Sequence, residues 1–203
     1  MASEHIYKQF DSDLEAIRAK VLEMGTLVEE QTANAVKSLL NTDVKLAEQV
    51  MKRDDQINDL EVAIDEETSL LIAKRSPAAG DLRNIMMMLK IITDLERMGD
   101  EAAKIARSTT RIFEDNRMSK PRFTEIKGMA KAVQGMIKTA LNSFARLDLS
   151  DTIDILEKDK QVDDDYRSCM RQLLTFMLED PRTISMSLES MFIAKSLERI
   201  GDH

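Results

Sequence analysis

The chain has 203 residues, of which 43% are hydrophobic, 33% charged and only 4% aromatic. Its six Gly and three Pro fall far below the roughly 24 that average usage would give, which excludes turn-rich sandwiches and barrels as well as collagen-like and low-complexity classes. A formal charge of −8 repels nucleic-acid backbone and anionic lipid, arguing against nucleic-acid binding and polybasic membrane anchoring.

Apolar residues then recur at spacings of three and four along nearly the whole chain. Phe10, Leu14, Ile17, Val21, Met24 and Val28 form a first stripe that drifts to Leu39 before Asn41-Thr42-Asp43 breaks it. Leu46, Val50, Ile57, Leu60, Ile64 and Leu71 form a second, ending at Ser76-Pro77. Leu82, Ile85, Leu89 and Ile92 open a third that continues to Phe113, ahead of the polar segment Glu114-Asp115-Asn116-Arg117. After Pro121 a fourth carries Ile126, Met129, Val133, Ile137, Ala140, Phe144 and Leu147. The fifth holds Ile155, Val162, Tyr166, Cys169, Leu173 and Phe176 up to Asp180-Pro181, and the sixth begins at Ile184 with Leu188 and Met191. Stripes of this length and period predict six long amphipathic helices packed at shallow angles, antiparallel where the breaks between them are short.

The two halves repeat each other. Arg53-Asp-Asp-Gln-Ile-Asn-Asp59 resembles Lys158-Asp-Lys-Gln-Val-Asp-Asp164, and Leu95-Glu-Arg-Met-Gly-Asp100 returns as Leu197-Glu-Arg-Ile-Gly-Asp202 with one residue changed. The reading is an all-α domain of two tandem three-helix bundles, 1–117 and 118–203, related by an approximate twofold axis. In the first half the helix runs on past Asp100, whereas the second half stops at His203, so the natural protein is expected to extend further.

The residue inventory excludes most catalytic chemistry. Cys169 is the only cysteine, and His5 and His203 are the only histidines, which leaves no material for a disulfide framework, a Cys/His metal site or a Ser-His-Asp triad. The opening MASEHIYKQF lacks a signal-peptide pattern, and the longest apolar run, Ile85 to Leu89, is far short of the roughly 18 residues of a membrane span, so a cytoplasmic protein without membrane insertion is expected. The 14 Met residues suit adaptable cores and interfaces, and a thin bundle with Met-rich faces suits a homodimer. Cys169 lies on an apolar stripe and is read as inert. Lys74, Arg75 and Arg83 flank the start of the third helix, where either an anion site or simple solvated charge fits.

The repeated Glu-Arg-x-Gly-Asp is the one element with the makings of a site. Glu96 falls on or beside the buried seam, Asp100 follows one turn later, and Gly99 costs the helix about 1 kcal/mol relative to Ala, tolerable if something approaches the backbone there. Glu198, Gly201 and Asp202 repeat the arrangement. Two readings stand side by side. Arg97 and Arg199 could serve as structural counterions in a polar layer, or the carboxylates could be hard oxygen ligands for Mg, Mn, Ca or oxidised Fe, with Asp55, Asp59, Asp159 and Asp163 as helpers. The His of the usual di-iron bundle motif is missing.

These residues carry a family resemblance. The doubled Glu-Arg-x-Gly-Asp, the entry into the third helix (Ala73-Lys-Arg-Ser-Pro77 to Asp81-Leu-Arg83), the entry into the sixth (Met177-Leu-Glu-Asp-Pro-Arg-Thr183) and the opening Phe10-Asp-Ser-Asp-Leu-Glu15 are similar to the PhoU family over essentially the whole chain. The resemblance implies a spectrin-like pair of three-helix repeats without catalytic activity. It implies a cytoplasmic negative regulator of phosphate uptake and phosphate-starvation signalling, joining the ATPase of the phosphate ABC transporter to a phosphate-sensing histidine kinase. It also implies carboxylate-bound clusters of Fe or other metals, Mn, Mg or Zn among them, at Glu96, Asp100, Glu198 and Asp202, with residues beyond His203 completing the second site. The reading from another class is a carboxylate-metal enzyme or metal store.

Overall fold

The computed structural model describes residues 2–114 and 124–203, with side chains described over 9–113 and 124–203. Among them are six long helices and no strand: α1 Ala2–Asn41, α2 Val44–Arg75, α3 Ala79–Glu114, α4 Thr124–Arg146, α5 Thr152–Glu179 and α6 Ile184–Asp202. Asp115-Asn116-Arg117, Pro121 and the expected repeat boundary at 117/118 lie outside the described residues.

The breaks follow from local chemistry. Asp43 caps α2 by accepting the Leu46 N–H at 3.0 Å. Thr42 supplies the reversal before it at φ 60°, in the left-handed region. Ser76 ends α2 in the same region (φ 46°), its N–H donating to the Ile72 carbonyl at 3.1 Å, and Pro77 then prevents continuation. Between α5 and α6, Asp180 accepts the Arg182 N–H at 3.0 Å and opens the short 3-10 turn Pro181–Thr183.

α1, α2 and α3 pack on one another, as do α4, α5 and α6, and α3 with α6 and α1 with α4 join the two groups. α3 and α6 run antiparallel: the contacts Arg111–Glu189, Glu101–Arg199 and Asp94–His203 step in opposite directions along them. One continuous core holds Val21, Met24, Ile57, Ile64, Ile92 and Ile105 together with Met129, Val133, Ile193 and Leu197. Apolar burial on this scale is the main force holding the bundle.

The sixth stripe is shifted from its expected register. Ile184 and Leu188 are exposed, while Ser187, Ser190, Ile193, Ala194, Leu197 and Ile200 are buried. The buried face therefore combines small residues in the first half of the helix with Ile193, Leu197 and Ile200 further along. Leu82 and Leu147, at the ends of their stripes, are likewise exposed. Cys169 is buried, and burial pushes its thiol up to about 11, consistent with an inert core residue. No described helix is long and apolar enough to cross a membrane.

Candidate functional site

The two copies of Glu-Arg-x-Gly-Asp sit where α3 meets α2 and where α6 meets α5. On α3 the residues facing inward are Leu95, Met98 and Ala102, so Glu96 and Asp100 flank the seam half-buried. Gly99 is buried between them. A methyl group there would lie 2.9 Å from Ile57 Cδ1 and 3.4 Å from Asp54 Oδ1, so the missing side chain is what lets α2 bring a carboxylate against the backbone of α3. Asp54, Ile57 and Glu61 project from one face of α2. From α1, the buried Gln31 donates its side-chain N–H to Asp54 Oδ1 at 3.0 Å.

This first cluster is electrostatically uncomfortable. Burial holds the Asp54 carboxyl above its ordinary value, and the Asp100 charge adds to that, against the Gln31 hydrogen bond and the more distant Arg107. Glu96 is raised by burial first and then by Asp100, Glu61 and Asp54, with Arg97 opposing. Burial and neighbouring carboxylates thus raise the cost of ionising Asp54 and Glu96, while Lys104 lies 4.0 Å from Asp100 at the edge of the cluster.

In the second cluster Asp163, Glu198 and Asp202 offer carboxylate oxygens that lie within 4.8 Å of one another. Asp159 is raised by burial, then by Asp202 and Asp163. A methyl group on Gly201 would lie 3.7 Å from Asp159 Oδ1, an ordinary contact. Glu198 is answered locally: Lys195 donates to its Oε1 at 2.7 Å and lies 5.4 Å from the Tyr166 ring centroid. That hydrogen bond raises the lysine above its ordinary value.

The structure therefore brings Glu96 and Asp100 together with Asp54 and Glu61, and Glu198 and Asp202 together with Asp159 and Asp163. The expected helpers Asp55 and Asp59 are exposed on α2 and do not join them. The helical phase decides this, because Ile57 fixes the inward face and Asp54 lies one turn before it. The signal was present in the repeat: aligning Arg53–Asp59 with Lys158–Asp164 pairs Asp54 with Asp159 and Asn58 with Asp163.

The arginines of the motif also differ from expectation. Neither makes an ion pair with Glu96, Asp100, Glu198 or Asp202 among the described residues. Arg97 is exposed and lies 3.5 Å from Asp94. Arg199 reaches across to α3 and pairs at 2.8 Å with Glu101, whose side chain is only 4% exposed and also receives Lys104 at 3.0 Å. Arg199 is a counterion, but of a buried carboxylate in the other half.

The donor chemistry of both clusters is all oxygen, with converging anionic groups that a di- or trivalent cation would relieve. That set suits Mg, Mn, Ca or oxidised Fe better than Zn, which favours Cys and His.

Comparison with known proteins gives a consistent result. The family model described as "PhoU domain" matches residues 21–109 and again 126–203. The chain is 45% identical over 202 residues to the phosphate-specific transport system accessory protein PhoU homolog of Pseudomonas aeruginosa, covering 99% of this chain and 83% of that protein. It is 41% identical over 200 residues to the phosphate-specific transport system accessory protein PhoU of Escherichia coli, covering 98% and 82%. The crystal structure of PhoU from P. aeruginosa superposes with a TM-score of 0.91 at 44% identity, covering 96% of this chain and 92% of that one. The phosphate transport system regulatory protein PhoU from Streptococcus pneumoniae superposes with a TM-score of 0.86 at 28% identity, covering 95% and 90%.

Proposed function

We propose that this chain, which belongs to the PhoU family, is a non-enzymatic cytoplasmic regulator accessory to phosphate transport. It restrains phosphate uptake and phosphate-starvation signalling when phosphate is plentiful, as an adaptor between the ATPase of the phosphate transporter and a phosphate-sensing histidine kinase. The observation that carries this reading is the match across nearly the whole chain to relatives named as phosphate-specific transport accessory proteins. The bundle fits an adaptor, with exposed apolar residues such as Leu178, Ile184 and Phe192 along α5 and α6 available to protein partners or to a second copy of the chain. Residues 1–117 and 118–203 are read as tandem repeats, in keeping with the double family match.

Within that role the two acidic clusters bind metal. Asp54, Glu61, Glu96 and Asp100 would hold a cation in the first half, and Asp159, Asp163, Glu198 and Asp202 in the second. A bound cation supplies positive charge that locks α2 to α3 and α5 to α6, so that metal content and helix packing are coupled. A carboxylate-metal enzyme or metal store is the second reading, favoured by the close approach of Asp163, Glu198 and Asp202.

Deletion in the source cell, followed by measurement of phosphate-starvation gene expression in phosphate-rich medium, tests the regulatory role. Derepression restored by the wild-type chain supports it, and unchanged expression rejects it. Elemental analysis with hydrolase and oxidase assays on metal-loaded protein separates the second reading. Turnover lost in Glu96→Ala would favour the enzyme.

A further inference from the structure

Along the α3–α6 junction, bordering the acidic clusters through Lys104 (4.0 Å from Asp100) and Lys195 (paired with Glu198), lies a concave groove of about 340 Å³ whose charge runs against the −8 of the chain. Lys104, Arg107 and Arg111 line one wall from α3, and Lys195 and Arg199 line the other from α6. Glu101 is the single carboxylate of the lining, and it is already shared between Lys104 and Arg199. Arg111 has only a 3.5 Å contact to Glu189, and Lys195 turns to Glu198. Arg107 makes no salt bridge among the described residues.

Two hydroxyls stand beside these cations. Ser108 from α3 and Ser196 from α6 also line the groove, each residue largely buried. A serine hydroxyl can donate to an anionic oxygen without adding charge. One such group on each wall adds a neutral donor to the row of cations, of which Arg107 makes no salt bridge among the described residues.

The dimensions select the ligand. Lys104 and Arg111 are seven residues apart, about 10 Å along a helix at 1.5 Å per residue. One tetrahedral anion cannot bridge that row, whereas two or more linked phosphoryl groups can, and guanidinium forks with hydroxyl donors suit phosphoryl oxygens. We propose that the α3–α6 groove is a binding site for a small polyanion of linked phosphoryl groups, with Arg107, Arg111 and Lys104 as its main cations and Ser108 and Ser196 as neutral donors. The site borders the acidic clusters through Lys104 and Lys195 but uses different residues for the ligand's main contacts, and it does not depend on the regulatory reading above. Since the groove joins helices from both halves, an occupant adds a bridge between them alongside the Arg199–Glu101 pair.

Titration calorimetry on the full chain in chelator, with pyrophosphate as the probe, tests this. Saturable binding is expected that weakens as salt rises, because each contact is charge-assisted. Arg107→Gln and Arg111→Gln each lose about tenfold in affinity, the equivalent of one charge-assisted hydrogen bond. Both side chains are exposed, so the fold is retained, which circular dichroism verifies. Lys90→Gln, exposed about 20 Å away along α3, leaves binding unchanged. Absence of pyrophosphate binding, or binding indifferent to Arg107→Gln and Arg111→Gln, overturns the site. Orthophosphate binding as tight as pyrophosphate, or tighter binding of a hexaglutamate peptide, overturns the ligand class.

Discussion

The two acidic clusters share a motif yet have different neighbours. Glu96 and Asp100 are set against Asp54 and Glu61 under a third helix, whose Gln31 holds Asp54 in place. Glu198 and Asp202 are set against Asp159 and Asp163 with their own cation, Lys195, one turn before Glu198. Extending the repeat register puts Tyr166 where the first half has Glu61, and the Glu-Arg-x-Gly-Asp register puts Lys195 where it has Thr93. The first cluster is thus a half-buried set of like charges with Lys104 only at its edge, and in the second Lys195 bonds Glu198 directly. The same five-residue motif brings a Glu and an Asp to both clusters, and the helices around them set the charge balance.

The largest expected contrast lies in the two arginines of the motif. Arg199→Ala leaves the buried Glu101 with Lys104 alone and costs about 2 kcal/mol in urea unfolding, the range for a lost hydrogen bond to a charged group. Arg97→Ala removes an exposed pair and costs less than about 0.5 kcal/mol. Equal losses would contradict the asymmetry.

The glycines come next. Gly201→Ala adds a methyl group with no contact nearer than 3.7 Å and gains up to about 1 kcal/mol of helix propensity. Gly99→Ala gains the same propensity but pushes on Ile57 and Asp54, so it ends about 1 kcal/mol less stable than Gly201→Ala. Thermal melts of the two variants in chelator measure the difference, and the reverse order would mean that α2 does not press on α3.

A smaller effect is expected on metal affinity. Lys195→Met frees Glu198 and strengthens Mn binding at the second cluster about threefold, while the first is unchanged. Calorimetry with Mn on Glu96→Gln and Glu198→Gln backgrounds assigns each site. An unchanged second site would show that Lys195 does not compete with metal.

The smallest is a pH dependence. Asp54, Glu96 and Asp159 are all raised on folding, chiefly by burial, so their protonated forms favour the native state. In chelator their contribution therefore stabilises as pH falls from neutral through the raised values, and levels off below the ordinary carboxylate range. Asp54→Asn removes the first of these terms, so its stability gain over wild type is greatest at pH 7 and shrinks towards pH 4. A gain that grows on acidification would reverse the sign and reject the like-charge picture.

The amino-acid sequence by itself determined the helices, their breaks and the duplication, because these rest on local chemistry. Apolar spacing defines an amphipathic face, Ser76-Pro77 and Asp180-Pro181 stop a helix wherever they occur, and a repeated hexapeptide is visible without coordinates. It also brought out Glu96, Asp100, Glu198 and Asp202, since carboxylates beside a glycine on a buried seam are costly anywhere. Helical phase and packing decided the rest. Which of two adjacent aspartates faces inward depends on where Ile57 packs, and that chose Asp54 over Asp55. The face of α6 that is buried is set by the phase in which Ile193, Leu197 and Ile200 pack, and that put Ser187 and Ser190 inside in place of Ile184 and Leu188. The partner of Arg199 lies in the other half, on a helix that only the antiparallel crossing of α3 and α6 brings within 2.8 Å. Spacing along one helix is a local property, whereas the meeting of charges from different helices exists only once the chain has folded.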